Sequence, residues 1–320
     1  MTESPEISIC MPCFNSEQFL DETLNSFINQ TFKNFEVIIV NDASTDKSFE
    51  ILEGYAKLDK RIKVFNHSKN KGAAAARNLA FSNSKGNFII FFDSDDIVNK
   101  SYLQNQLALA KTYCNVIIAC ELQEFYNNNL NDTGPNLMAV RETLEPVDWL
   151  LNNNAKGLNL TQCGMFCIPR RLIEKAGLWN ESLSLIDDFE FFPRLLLEAE
   201  KIIYNSSSVI YYRRSLRSSL SSSSGTKALK SAFKAIMLTS NLIIEKEDSI
   251  RSKNAISNYW RGWIYHAYGY DKDLYQSGRI FYKRLTGQSY IPKNAGITGV
   301  LDRFLGWKFT KKLKDFARKI

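Results

Sequence analysis

Histidine is nearly missing from this 320-residue chain, which holds only His67 and His266. Neither has a recognisable serine or cysteine nucleophile motif to serve, so each reads as a surface or core residue rather than a catalyst. No G-x-G-x-x-G follows the first apolar run and no G-x-x-x-x-G-K-[ST] occurs, which removes the dinucleotide fingerprint and the Walker phosphate loop. No apolar run approaches the roughly 18 to 20 residues that span a bilayer. The opening MTESPEIS is acidic, unlike the basic start of a signal peptide. These absences lead us to expect a cytoplasmic protein.

Cysteine is present but unpersuasive as chemistry. The six fall as Cys10 and Cys13, Cys114 and Cys120, and Cys163 and Cys167. CMPC and CGMFC could together hold zinc, yet Pro12 follows a strand and no helix N-terminus stands ready to activate a thiolate. Buried free thiols are the expectation. The formal charge of +7 is segregated: residues 251–320 carry +11 and residues 1–250 carry −4. The basic end points to an anionic surface, and the acidic body argues against nucleic acid as a partner.

What the chain does have is alternation of strand and helix, at 44% hydrophobic and 23% charged residues. ISIC, FEVIIV, IKVF and FIIFF read as strands, and SEQFLDETLNSFINQ, TDKSFEILEGYAKL and AAAARNLAFSN as the helices between them. In the first helix Leu20, Leu24, Phe27 and Ile28 share a face, with Asn15 or Ser16 able to cap it. Such units build a mostly parallel sheet covered by helices on both sides, an α/β fold. Ligands then sit beyond the carboxyl ends of the strands. PCFNSE, NDASTD and DSDD all follow strands, so the fold brings them to one edge. Farther on, YNNNLNDTGPN reads as a loop, GMFCIP and VIYYRR as strands, DDFEFFPRLLLEAE as a helix, and SLRSSLSSSSG as a flexible connection. Residues 226–290 look helical and rich in aromatics.

The segment FIIFFDSDDI places Asp93, Asp95 and Asp96 within four positions, directly after an all-apolar strand. Carboxylates so close repel unless a cation or a hydrogen-bonding ligand relieves them. Asp93 and Asp95 offer oxygens of the kind Mg2+ or Mn2+ prefers, with a substrate diphosphate completing the shell, although a capped surface turn has the same composition. Asp42 is placed either to accept from a nucleobase N–H or simply to cap a turn. In NKGAAAARN, Gly72 lets the backbone approach a ligand while Lys71 and Arg77 supply positive charge. In LIDDFEFFPRLL, Asp187, Asp188 and Glu190 sit among large apolar residues, where a carboxylate gains the raised pKa of a general base or serves as a first-turn helix acid.

Read in order, these four segments resemble the inverting family 2 glycosyltransferases of the GT-A fold, over residues 6–215. A D-x-D alone is weak, but four segments in the family's order are specific. The resemblance implies a GT-A domain over residues 1–220, its nucleotide-sugar half at about 1–100 and its acceptor half at about 101–220, with a basic helical region at 221–320. It also implies roles. Pro12 to Asn15 would line the base pocket and Asp42 would bond the base. Lys71, Gly72 and Arg77 belong to the nucleotide-side segment. Asp93 would lie at the ribose and metal edge, Asp95 would be the principal metal ligand, and Asp96 would face the sugar or support the site. Asp188 matches the catalytic base with Asp187 as understudy, and Glu190 and Arg194 look supporting. The implied reaction moves one sugar from a nucleotide donor, expected to be UDP-linked, to a saccharide or lipid-linked saccharide in bacterial surface-polysaccharide assembly. A nucleotidyltransferase and a nucleotide-sugar-binding protein without turnover are the alternatives.

Three departures from the family pattern stand out. Ala43 replaces the glycine usual in NDGSTD, Asp187 replaces the usual glutamate, and YYRRSLRSSLS lacks the histidine that some relatives offer the metal. Outside the family core, Leu301, Leu305, Phe309, Leu313, Phe316 and Ile320 recur at helical spacing, with lysines and arginines on the other faces. One helix over 300–320 is expected, lying on the inner face of an anionic membrane or packing its stripe onto the catalytic domain.

Overall fold

The strand–helix units of the first hundred residues form one half of a nine-stranded sheet. The computed structural model describes residues 4–126, 128–154, 161–214, 225–292 and 296–317. In that first half, β1 (Ile7–Cys13), β2 (Phe35–Asn41), β3 (Ile62–Asn66) and β4 (Phe88–Phe91) are mutually parallel. They are joined by α1 (Leu20–Ile28), α2 (Ser48–Leu58) and α3 (Ala73–Asn83). β2 is buried along its whole length, as an interior strand between helical layers must be. α3 buries Ala74, Ala75, Ala76 and Ala80, whose small side chains let the helix lie close to the sheet. Pro12 pairs with Val40 on β2, past the last β4 residue to pair with β1, so its missing N–H breaks no ladder.

The second half begins with the two-residue β5 (Ile97–Val98) and α4 (Tyr102–Thr112), followed by β6 (Val116–Tyr126) and β7 (Asn129–Asn136). After α5 (Pro146–Asn154) come a 3-10 turn at Cys163–Met165, β8 (Phe166–Pro169), α6 (Arg170–Ala176), α7 (Asp188–Leu196) and β9 (Lys201–Arg213). The strand order is β3-β2-β1-β4-β8-β6-β9-β5, with β7 paired to β6, and here the sheet departs from a purely parallel one. β4 runs parallel to β1 on one side and antiparallel to β8 on the other. The Asn-rich segment expected as a loop is β7, an exposed strand held in a hairpin with β6. Its polar side chains hide the strand because neither of its faces is buried.

Two helix boundaries also differ. Neither Asn15 nor Ser16 caps α1 through its side chain; the capping residue is Phe19, and the Ser16 carbonyl accepts from Phe19 and Leu20 instead. At the C-terminus the single helix expected over 300–320 is two, α11 (Gly296–Leu305) and α12 (Trp307–Ala317). Gly306, at φ +77°, makes the left-handed turn between them. The Ser-rich connection lies almost wholly outside the described residues. The long helices α8 (Thr226–Lys246), α9 (Ile250–Ala267) and α10 (Lys272–Thr286) build a second apolar cluster around Trp260, Trp263 and Tyr282. Leu151 of α5 and Phe189 of α7 join that cluster, so the helices pack directly on the element that carries Asp188.

Candidate active site

Because β1, β2 and β4 run in parallel, their carboxyl-end loops meet at one edge, and hydrogen bonds stitch them together. Asn15 adopts φ +50° and accepts at Oδ1 from the Thr45 N–H at 2.8 Å, tying the loop after β1 to the loop after β2. Ala43 in that second loop has φ +59°. This is why glycine is usual there: an L-residue pays a steric cost in the left-handed region.

Asp42, buried, is already engaged. Its Oδ1 accepts from the Lys71 N–H at 2.9 Å and its Oδ2 from the Gly72 N–H at 2.7 Å, while His67 Nδ1 lies 2.7 Å from Oδ1. Gly72, at φ +93°, leads directly into α3. Asp42 thus pins the approach to that helix, and a nucleobase N–H would have to share an oxygen already in use. The Lys71 side chain is exposed, and His67, read from sequence as no more than a surface or core residue, is the partner that fixes Asp42.

Arg77 is the joint of the site. It is buried on α3, stacked over the Trp179 ring at 4.4 Å, which itself stacks on Phe191. Its Nη2 donates to Asp93 Oδ1 at 2.8 Å and its Nη1 to Asp187 Oδ2 at 3.0 Å. One guanidinium therefore bridges the acidic turn after β4 and the acidic start of α7, two segments far apart in sequence. Both Nη atoms of Arg77 are thus engaged by carboxylates of the protein itself.

The acidic turn is clamped from several directions. Ser94 Oγ and Ser16 Oγ are 2.7 Å apart, and Thr23 Oγ1 donates to the Ser94 carbonyl at 3.2 Å. Asp96 is fully buried. Its Oδ2 accepts from Gln162 Nε2 at 2.7 Å and its Oδ1 from the Arg213 N–H at 2.9 Å. Both oxygens of Asp96 are thus engaged by protein donors. Burial and then the charges of Asp95 and Asp93 hold its carboxyl well above the usual range.

Arg213 ends β9. Its Nε donates to the Asp95 carbonyl at 2.7 Å and its Nη2 to Glu22 Oε2 at 2.6 Å, and its guanidinium lies between the Phe19 and Phe125 rings. Gln162 and Arg213 escaped sequence reading because their partners are 66 and 117 positions away. The only hint was the pair of arginines closing a tyrosine-rich strand.

Asp187 and Asp188 differ although adjacent. Asp187 caps α7, accepting from the Asp188 N–H at 3.1 Å, and spends its other oxygen on Arg77. Asp188 accepts from the Phe189 N–H at 2.8 Å. Burial, reinforced by the Asp187 charge and opposed by Arg77, pushes it up to about 7. The preceding Ile186, a β-branched residue, is held at φ +49°, a strained turn that sets the direction of both acids. Glu190 and Arg194 pair with each other at 2.9 Å, and Arg194 donates to the carbonyls of Gly177 and Leu178. They fix α7 against the loop after α6.

Burial and then Asp93 push Asp95 up to about 7, with Arg213 opposing. Among the described residues no three His, Cys, Asp or Glu side chains gather as a metal cage. Two hard carboxylate oxygens under mutual repulsion fit Mg2+ or Mn2+ of the kind that keeps its remaining positions for phosphate and water. The six thiols are free, and burial pushes Cys10 and Cys167 up to about 12, far from a reactive thiolate. Cys114 alone among them is exposed.

The family model for Glycosyl transferase family 2 matches residues 8–175, just over half of the chain. This chain belongs to glycosyltransferase family 2. An uncharacterised glycosyltransferase of Haemophilus influenzae is 31% identical over 251 residues, covering 76% of this chain and 89% of that protein. Among solved structures, S. aureus TarS residues 1–349 in complex with UDP-GlcNAc aligns with a TM-score of 0.72 at 19% identity, covering 98% of this chain and 92% of that one. GalNAc-T7 with UDP, GalNAc and Mn2+ aligns at 0.59 and 17% identity, covering 90% of this chain and 57% of that one. The glycosyltransferase therefore has the GT-A fold expected of it, and glycosyl transfer replaces the nucleotidyltransferase and the binding protein without turnover.

Proposed function

We propose that this glycosyltransferase moves a single sugar from a UDP-sugar to a hydroxyl of a saccharide or lipid-linked saccharide, with inversion, in the assembly of a cell-surface polysaccharide. The observation that carries the reading is Asp188: a carboxylate poised near 7, at the start of α7, tied through Asp187 and Arg77 to the acidic turn where a donor diphosphate would lie. The TarS complex with UDP-GlcNAc supports UDP as the carrier.

In this reading Asp188 takes the proton from the acceptor hydroxyl as its oxygen bonds the anomeric carbon, and the bond from that carbon to the diphosphate breaks on the opposite face. Configuration inverts and no covalent enzyme intermediate forms. Asp187 holds Arg77 and orients its neighbour rather than acting as the base. Pro12, Asn15 and Asp42 border the base, Lys71 and Gly72 the nucleotide, and Asp93 the ribose. Asp95 and Asp93 would hold Mn2+ or Mg2+, which supplies neutralising charge to the leaving diphosphate. The enzyme works in the cytoplasm, peripherally at the inner face of the membrane.

Calorimetric titration of UDP, GDP, dTDP and CDP, each with Mn2+ or with EDTA, tests this reading. Metal-dependent binding of UDP that Asp95→Asn abolishes is expected. A folded sample that binds none of the four would overturn it.

A further inference from the structure

The C-terminal helix pair is amphipathic in the wrong sense for a packed element. α12 buries its polar face: Thr310 is buried, and Lys311, only 3% exposed, pairs with Asp315 at 2.7 Å and lies over the Tyr265 and Tyr270 rings. Trp307 anchors the same face among Tyr265, Tyr268 and Tyr290. The apolar stripe points outward. Val300, Leu301, Phe304, Leu305, Phe309 and Leu313 are all exposed, Phe304 to 82%. Of the stripe expected from sequence, Leu301, Leu305, Phe309 and Leu313 are exposed rather than packed onto the catalytic domain, while the Phe316 side chain and Ile320 lie outside the described residues.

Scattered exposed leucines are ordinary, but six large exposed apolar side chains on two successive short helices are not. Charge indicates what covers them. Residues 291–320 hold eight Lys or Arg against two Asp, a net of +6. Exposed Lys312 lies one turn from Phe309 on the helix surface, and Lys308 is exposed at the border of the packed face, its ammonium 5.8 Å from the Tyr268 ring. A second copy would bring the same +6 against itself, which opposes pairing through this face. The apolar residues stand on the outer surface of helices rather than lining a groove, so they suit insertion between headgroups better than capture of a peptide. Lysines beside them can extend their ammonium groups to lipid phosphates.

We propose that the outward face of α11 and α12 docks onto an anionic lipid bilayer, with Phe304 and Phe309 inserted and Lys308 and Lys312 at the headgroups. The proposal rests on the peripheral placement in the functional reading above, but not on its donor, metal or base. Membrane binding and turnover on a soluble acceptor are measured separately, so either can fail alone.

Flotation with phosphatidylcholine vesicles, with and without phosphatidylglycerol, tests it on the full chain. Binding is expected only to the anionic vesicles, and about 0.5 M salt should release the protein. Lys308→Gln with Lys312→Gln should weaken binding by tenfold or more, at about fivefold per lysine near an anionic surface. Phe304→Ser with Phe309→Ser should abolish binding while leaving the thermal midpoint unchanged, since both rings are exposed. The wild type failing to float would overturn the proposal, as would binding unaffected by the phenylalanine pair. A wild-type dimer in solution that the same pair dissociates would also overturn it, in favour of a second copy as the occupant.

Discussion

Asp188 carries a charge that the fold does not favour. In the unfolded chain its carboxyl titrates near the ordinary 3.8, and in the folded protein near 7. Between those values folding takes up a proton, so stability falls as pH rises through the window, and above about 7 the whole penalty is present. Asp188→Asn keeps an acceptor for the Phe189 N–H and removes the charge. At pH 8 it should therefore raise stability by about 1 to 3 kcal/mol, with no gain near pH 3.5. Urea unfolding of both proteins at the two pH values checks this. The same substitution should lower kcat by about 10^2- to 10^4-fold, the usual worth of a general base. Because only the ionised carboxylate accepts a proton, kcat of the wild type should rise with pH and level off above about 7. A flat profile from pH 5.5 to 8.5, on a donor and acceptor that do not titrate there, would remove Asp188 from that role. Ala43 gives a second prediction at this scale. Ala43→Gly relieves the left-handed backbone but adds freedom to the unfolded chain, for a net gain of about 0.5 to 1 kcal/mol read from the urea midpoint.

At the scale of elements, the acidic turn is rigid because β9 and the 3-10 turn hold it from outside its own strand. Ile97 and Val98 pair with Tyr211 and Ile210, and two residues beyond Tyr211 the Arg213 fork grips the Asp95 carbonyl. Lysine offers a point charge rather than a fork and cannot make these bonds together. Arg213→Lys should keep the fold and raise KM for the donor by about tenfold, equivalent to about 1.4 kcal/mol of weaker donor binding. Arg213→Met, which leaves Glu22 without its buried partner, should in addition lower the thermal midpoint by several degrees. Initial rates against donor concentration and a thermal scan distinguish the two. The parallel half of the fold was legible because its signals are local: short apolar runs, a helical period, an Ala-rich helix read to its residue limits at 73–83. The antiparallel direction of β8, the strand β7 and the contacts of Gln162 and Arg213 were not, because what defines them is pairing with segments outside their own stretch of sequence. The acidic segments were visible as composition, while Arg77 as their bridge required the fold.

For the whole molecule, the C-terminal helices do two separable things. α8 and α9 pack on the segment that carries Asp187 and Asp188. Thr239 Oγ1 donates to the Phe189 carbonyl at 2.7 Å, Tyr259 packs on the Phe189 ring at 4.3 Å, and Ser231 Oγ accepts from the N–H groups of Ser184 and Leu185. These contacts flank the turn at Ile186 and Asp188, the proposed base, which follows it. α11 and α12 attach farther out, through Trp307 and its ring of tyrosines. Ending the chain after residue 295 should therefore preserve most turnover on a soluble acceptor. Ending it after residue 214 opens the second apolar cluster, exposing Leu151 and Phe189, and releases α7. That protein should be inactive, prone to aggregate, and bind a dye that reports exposed apolar surface. Phe189→Ala isolates the cause in a full-length chain. It removes the ring through which α7 joins the helices, at a cost of about 3 to 5 kcal/mol, and loosens Asp188 without altering it. The expected signature is a kcat loss larger than any change in donor KM, because the donor loops on β1, β2 and β4 are untouched. Equal losses in kcat and donor affinity would mean that the helices support the whole sheet edge rather than the base.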